Sequence, residues 1–279
     1  MKLTVSNLKM KIACIQPQIY QDRERCYLEV ENLLNGLIKK YKECDIMCLP
    51  ERWVPLYTKI HQNFQMERGE DYLFIKKLAK KYGVSIISGG IWEKRNNLKK
   101  PRITCYFFNE NGEEVGRQDK IHLYTYESKR FEAGDTINLF SLQNSHYFAI
   151  LICFDMAFFE TPRLATENGA DFLLSPTQIR EEGMQNWDIY LKARALENRI
   201  PVVACNTYGT FYERRFLGNS KIISFVKGNI TPSKLKITEA PLGSSGFVFD
   251  DIDLDFPKKL RKIRLNEKID KSKIKVEKI

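Results

Sequence analysis

Short apolar runs of strand length recur along the 279 residues, each separated from the next by a helix-like stretch or a tight turn. The spacing predicts a strand over Lys11–Gln16 and then an amphipathic helix from Asp22 to Cys44 with Leu33, Leu34, Leu37 and Ile38 on one face. A second strand, Asp45–Leu49, closes at Pro50. A helix over Asp71–Tyr82 ends at Gly83, a residue suited to the left-handed C-terminal cap, and Val84–Trp92 reads as the next strand. Residues 103–118 read as a hairpin around the turn Asn109-Glu110-Asn111-Gly112. Strands follow over Ile137–Leu142 and Tyr147–Ile152. Thr161-Pro162 then supplies an N-cap and a first helical residue for a helix closed by Gly169. Further strands fall at Phe172–Ser175, Pro201–Cys205, Ser220–Val226, Leu235–Ile237 and Gly246–Phe249, with helices over Gly183–Asn198 and Asp255–Lys262. Strands alternating with helices, plus hairpins, imply a layered α/β fold with mixed sheets covered by helices. No linker or internal repeat divides the chain. We expect one domain over residues 10–262, with residues 1–9 a flexible arm and 263–279 a basic tail.

Composition removes several function classes. The apolar runs are far shorter than the roughly 20 residues needed to cross a bilayer. The N-terminus lacks a signal-peptide apolar stretch and a small-residue cleavage site, so a cytoplasmic protein without membrane attachment is expected. Seven scattered cysteines do not form a secreted disulfide framework, and no CxxC occurs. With only three histidines, a zinc site would have to be assembled from distant pieces. The formal charge of +10 is concentrated at the end: Pro257–Ile279 carries ten Lys/Arg against three Asp/Glu. That segment has no aromatic residue to stack on bases, so nucleic acid is not the expected partner.

Three segments carry residues suited to covalent chemistry. The apolar run Tyr147–Ile152 delivers Cys153 to a strand's C-terminal end, the edge where open α/β sheets place ligands. Backbone N–H groups of the turn there can favour a thiolate and hold an oxyanion. A nucleophilic cysteine needs a proton acceptor, and His122 or His146 would supply a papain-like pair. The other option is a carboxylate: Glu51 follows Ile46–Pro50, again at a strand end, where desolvation suits a general base. Lys120 lies just beyond the hairpin, where an ammonium can stabilise a tetrahedral oxyanion. Each alone has a plainer explanation, as a core thiol, a loop carboxylate and a surface ion pair.

Taken in order, these residues resemble the nitrilase superfamily, the carbon–nitrogen hydrolases. The resemblance runs from about Lys11 to Leu260 through Leu49-Pro50-Glu51, Lys120–Leu123, Glu127, Phe131, Gly134-Asp135, Ile152–Asp155, Glu160 and Arg163. It continues through Gly169–Asp171, Arg194–Asn198, Asn206 and Gly218–Ser220. It implies a four-layer αββα sandwich and a Glu51–Lys120–Cys153 triad, with Glu127 orienting the lysine; Glu132 is the rival for that place. It further implies an oxyanion site made by Lys120 and the Phe154 N–H, a thioester intermediate, no metal or cofactor, and at least a homodimer. Glu160, Arg163, Glu197 and Asn198 would then be structural, Asp155 a cap for the turn after Cys153, and Trp53, Tyr57, Phe154 and Trp187 pocket walls. This chain departs from the family pattern at Phe158-Phe159-Glu160, where relatives commonly have Phe-Pro-Glu, at Pro55-Leu56-Tyr57, where a glycine is common, and in its basic tail. Cys153-Phe154-Asp155 looks like the amidase side of the family, whereas nitrilases usually place Trp-Glu after the nucleophile. The expected substrate is a small linear amide or N-carbamoyl compound. A nitrilase is the alternative within the family, and a catalytically silent binding protein on the same scaffold the alternative outside it.

Overall fold

A computed structural model describes residues 9–142 and 146–279. In the first half of the chain the strands are β1 (Lys9–Gln16), β2 (Ile46–Cys48), β3 (Gln65–Met66), β4 (Ser85–Ile87), β5 (Ile91–Lys94), β6 (Arg102–Phe108) and β7 (Glu114–Asp119), with helices α1 (Arg23–Tyr41) and α2 (Glu70–Tyr82). In the second half they are β8 (Leu139–Leu142), β9 (His146–Ile150), β10 (Phe172–Thr177), β11 (Val202–Asn206), β12 (Tyr208–Phe211), β13 (Arg214–Leu217), β14 (Lys221–Phe225), β15 (Leu235–Glu239) and β16 (Gly246–Asp253). Helices α3 (Glu160–Glu167), α4 (Met184–Asn198) and α5 (Asp255–Asn266) complete it. Among the described residues no helix is long and apolar enough to cross a membrane.

The strands form two large sheets. One runs β16-β1-β2-β4-β6-β5-β3, with β7 added to β6. The other runs β15-β14-β11-β10-β9-β8. Each has a parallel centre, β1-β2-β4 in the first and β9-β10-β11 in the second, flanked by antiparallel pairings, with short β3 parallel to β5 at one edge of the first.

Side-chain alternation explains the layering. Along 148–152, Phe148, Ile150 and Ile152 belong to the core between the sheets, together with Ile12, Cys14, Phe107 and Val203. Ala149 and Leu151 face the other way and pack with Leu191 and Ala195 of α4. On the first sheet Ala13, Ile15, Met47 and Ile86 likewise face outward, onto Val30, Leu34 and Leu37 of α1 and Ile75 and Leu78 of α2. Both faces of each sheet are therefore buried, which is why the central strands read as continuous apolar runs. The result is the αββα sandwich. Helix α1 starts where the Asp22 carboxylate accepts from Arg25 N at 2.7 Å, and α2 stops at Gly83, whose φ of +61° is the left-handed cap.

Four local expectations change. Val84–Trp92 is two strands, because Ser88-Gly89-Gly90 interrupts the run. The hairpin β12–β13 had no turn signal: its two turn residues, Tyr212 and Glu213, take positive φ of 50° and 59° where asparagine and glycine are usual. Helix α3 begins at Glu160 rather than after a Thr161 cap. Pro162 is then third in the helix, a first-turn position where an N–H has no intrahelical acceptor in any case. The basic segment is helical as far as Asn266, one turn further than expected, and Arg261 is buried with its guanidinium 3.2 Å from Asp171. Of the proposed N-terminal arm, residues 1–8 lie outside the described residues and Lys9 already belongs to β1.

Phe148 is fully buried at the centre of the inter-sheet core, with the rings of Phe107 and Phe172 each 5.1 Å away. Phe148→Ala removes that contact and leaves a cavity between two rigid sheets. We expect a loss of about 3–5 kcal/mol in unfolding free energy, read from urea denaturation followed by far-ultraviolet circular dichroism.

Candidate active site

The parallel centres of both sheets end at the same edge. After β2 the chain turns at Leu49-Pro50 into Glu51, whose N–H donates to Thr177 O at the end of β10 (3.2 Å). Thr207, just past β11, donates its hydroxyl to Arg52 O at 2.7 Å. The carboxyl ends of the two sheets are thus tied together, and Glu51 is fixed within the tie. Glycines make the approach possible. A Cβ on Gly89 would lie 2.1 Å from Pro50 O, and one on Gly90 would lie 2.6 Å from Glu51 O. The Gly-Gly pair inside an apolar run was the sequence signal for this close packing.

Cys153 follows β9 as the first residue of a short 3₁₀ turn, Cys153–Ala157, with φ of +49°. A left-handed backbone at a residue with a side chain is strained and persists only where its surroundings hold it. They do so here. The Asp155 carboxylate, fully buried, accepts from Ile152 N at 2.9 Å and from His122 N at 2.6 Å. Arg194 donates to Met156 O and Ala157 O at 3.1 and 2.8 Å from the far side of the turn. Asp155 therefore caps the turn, as the sequence suggested, and also ties it to the segment carrying Lys120.

Lys120 follows β7; its N–H donates to Ile103 O (2.9 Å) and its carbonyl accepts from Gly134 N (2.8 Å). The buried ammonium lies 2.7 Å from Glu51 Oε1 and 3.0 and 2.8 Å from the two oxygens of Glu127. Glu127 is fixed in turn by Tyr124 N, 2.7 Å from its Oε2. Cys153 Sγ is close enough to the Gln178 N–H and the Glu51 carboxylate for both to act on its titration. Glu51, Lys120, Glu127 and Cys153 all line one cavity of about 800 Å³.

The charges set the resting state. Burial works against the Lys120 ammonium, but attraction to Glu51 and Glu127 outweighs it and holds the lysine well above its ordinary pKa. Burial, and then repulsion from Glu51, push the Cys153 thiol well above its usual value, while Lys120 and the Gln178 N–H pull the other way. Burial also raises Glu127, partly offset by Lys120. The group at rest is a neutral thiol beside a charged lysine shared by two carboxylates.

The other candidates separate clearly. Tyr57, Phe154 and Trp187 line the cavity. Trp53 does not: it is buried in the core between the first sheet and its helices, with its indole N–H donating to Ser88 O at 2.7 Å. Its ring is simply core, the common fate of a large aromatic next to a strand. His122 is paired with Asp155 at 3.1 Å and stacked on Phe158, and buried His146 is paired with Asp171 at 3.4 Å, so neither histidine is beside the thiol. Glu132 pairs with Arg102 and leaves the lysine to Glu127. Sequence reasoning missed the Gln178 N–H, a backbone group with no residue-type signature, and Tyr124, Tyr126 and Arg180 on the cavity wall.

The sequence model of the carbon-nitrogen hydrolases matches residues 11–253. The chain belongs to that family. Among its carbon-nitrogen hydrolase relatives, a probable nitrilase of Schizosaccharomyces pombe is 30% identical over 91% of this chain and 93% of its own length. A 2-oxoglutaramate amidase of Bacillus subtilis is 28% identical over 91% of this chain and 99% of its own. The fold superposes on the crystal structure of a carbon-nitrogen hydrolase from Helicobacter pylori with a TM-score of 0.80, at 20% identity, covering 93% of this chain and 95% of the other. The expected membership of the nitrilase superfamily and the expected sandwich both stand.

Two substitutions probe this geometry. Glu51→Gln removes a negative charge beside the thiol, so the Cys153 pKa should fall, whereas Lys120→Met should raise it. Iodoacetamide alkylation of Cys153 at one fixed alkaline pH, followed by mass spectrometry, should be faster in Glu51→Gln and slower in Lys120→Met than in the wild type; unchanged rates in both would contradict this charge balance. Gly90→Ala forces a Cβ against the Glu51 backbone. It should lower turnover roughly ten- to a hundredfold while circular dichroism still reports a folded protein.

Proposed function

We propose that this carbon-nitrogen hydrolase is an amidase that cleaves a small linear amide or N-carbamoyl compound through a thioester on Cys153. The observation that carries the reading is the Lys120 ammonium held between Glu51 and Glu127 beside the thiol, inside a cavity that admits a small molecule.

In the first half-reaction the Cys153 sulfur bonds to the substrate carbonyl carbon while its proton passes to Glu51. The negative charge of Glu51 thereby reappears on the carbonyl oxygen, and the net charge of the site is unchanged. Lys120 and the N–H of Phe154 receive that oxygen. Phe154 lies in the first turn of a 3₁₀ segment, where an N–H has no acceptor within the helix. The C–N bond then breaks and ammonia or an amine leaves with the proton from Glu51. In the second half-reaction Glu51 takes a proton from water, the hydroxide adds to the thioester carbonyl, the C–S bond breaks and the thiol is restored. Glu127 positions Lys120 throughout, and Tyr57, Phe154 and Trp187 shape the space for substrate. Exposed apolar side chains on α3 and α4, Leu164 and Ile189 among them, support the reading of a homodimer.

An ammonia-release screen against linear amides, ureido acids and nitriles tests the proposal. Amides or ureido acids should be turned over, and Cys153→Ala should lose at least about 10³-fold in kcat/KM while still folding. Turnover confined to nitriles would make the protein a nitrilase. Full activity in Cys153→Ala would exclude the thioester, and no turnover of any of the three classes by the wild type would make the chain a binding protein on the same scaffold.

A further inference from the structure

Arg52 directly follows Glu51, yet its guanidinium takes no part in the group around Cys153. The residue is 1% exposed, and among the described residues no carboxylate forms an ion pair with it. Burial pulls its pKa down to about 10, with Asp71 offsetting part of that from a distance, so the group stays charged at neutral pH. A buried cation ordinarily has a carboxylate against it. Arg52 has instead two neutral oxygens and an aromatic face. Its Nη2 donates to Pro55 O and, at 3.3 Å, to Asn63 Oδ1, and its Cζ lies 4.7 Å from the centre of the Trp92 ring. Its Nε is buried with no partner.

Both acceptors belong to the loop of residues 55–63. Asn63 is buried too, and its amide closes the loop: Oδ1 accepts from Tyr57 N at 2.7 Å and Nδ2 donates to Tyr57 O at 2.8 Å. Between Pro55 and Asn63 no residue is buried. His61 O accepts from Phe64 N where the loop ends. Every other hydrogen bond linking residues 55–63 to the rest of the fold, among the described residues, comes from Arg52. Leu56 and Ile60 also pack on the core between the sheets, a contact without directional preference. Leu56, Tyr57, Thr58 and Ile60 line the catalytic cavity, and so does Trp92, the ring beside the guanidinium. The directional contacts that place these wall residues therefore converge on one buried cation that does not itself line the cavity. Arg52 is held in turn through its carbonyl by the Thr207 hydroxyl, at the edge where Glu51 is fixed.

We propose that Arg52 is a positioning residue for substrate binding: by holding Pro55 O and Asn63 it sets the 55–63 loop as a wall of the cavity, without touching the amide. What is bound there rests on the amidase reading; the hold on the loop does not. A planar guanidinium suits the place because its fixed fork of donors lets one group hold oxygens from both ends of the loop.

Arg52→Met keeps the length and the apolar stem while removing the donors. Asn63→Ala cuts the same tie from the loop side, should the first variant fail to fold. Hydrogen exchange read by mass spectrometry follows the loop without substrate. We expect exchange over residues 55–63 to quicken about tenfold in either variant, with β2 and β9 unchanged. For ammonia release from butyramide, KM should rise about tenfold while kcat stays within about threefold of the wild type. Arg52→Lys should recover part of the loss, and the double variant should be no worse than Arg52→Met alone. An unquickened loop, quickening spread across the whole protein, or an unmoved KM would overturn the proposal. Quickening confined to the loop, with no turnover of butyramide by the wild type, would uphold the anchor and count against the amidase.

Discussion

An ammonium buried with two carboxylates is the constraint on which the rest of the site depends. Lys120 is buried, and among the described residues the oxygens of Glu51 and Glu127 are the partners of its ammonium. Removing one member of such a group leaves a buried charge short of a partner, a cost of several kcal/mol. The arrangement therefore holds its own geometry: Glu51 cannot swing toward solvent without stranding the lysine, and the lysine cannot leave without bringing two carboxylates face to face. The thiol sits against this fixed charge pattern. Burial and Glu51 push its pKa up, and Lys120 and the Gln178 N–H act on the opposite side of the balance.

The sandwich makes that arrangement possible by bringing two parallel sheet centres to one edge. Strand β2 ends in Glu51, β9 ends in Cys153, and the Glu51–Thr177 and Thr207–Arg52 hydrogen bonds join the edges of the two sheets. The core between them is dense with aromatic side chains, so neither sheet can slide without breaking packing. A few buried polar groups lock the loops above this base. Asp155 bridges the nucleophile turn to His122, Asn206 holds Ile179, and Arg194 holds the carbonyls of Met156 and Ala157. The strained φ at Cys153 is the local consequence, and the buried hydrogen bonds around it offset that strain.

Much of this was legible in the chain because it depends on local chemistry. Short apolar runs marked the strands, Gly83 marked a helix end, and Glu51, Lys120 and Cys153 each followed an element that delivers side chains to an edge. Where expectation and structure part, a tertiary contact decides. Trp53 lies two residues after Glu51 and looked equally able to face the cavity, but the partner for its indole N–H, Ser88 O, lies in the core. Gly89-Gly90 broke a predicted strand because the Glu51 loop needs the space a Cβ would fill. The β12–β13 hairpin was invisible because Tyr212 and Glu213 hold conformations that residues of their type seldom adopt. Helix α5 runs one turn into the expected basic tail, and buried Arg261 anchors it by pairing with buried Asp171, far away in sequence.

The sequence by itself determined a layered α/β fold with helices over mixed sheets, which follows from the spacing of its apolar runs, and its ordered motifs marked Glu51, Lys120 and Cys153 through their resemblance to the carbon–nitrogen hydrolases. Only the tertiary structure decided which carboxylates share the lysine and which histidines are set aside in other pairs. Those are statements about distance between segments scores of residues apart, and a distance of that kind is fixed by packing two sheets together rather than by any local preference of the chain.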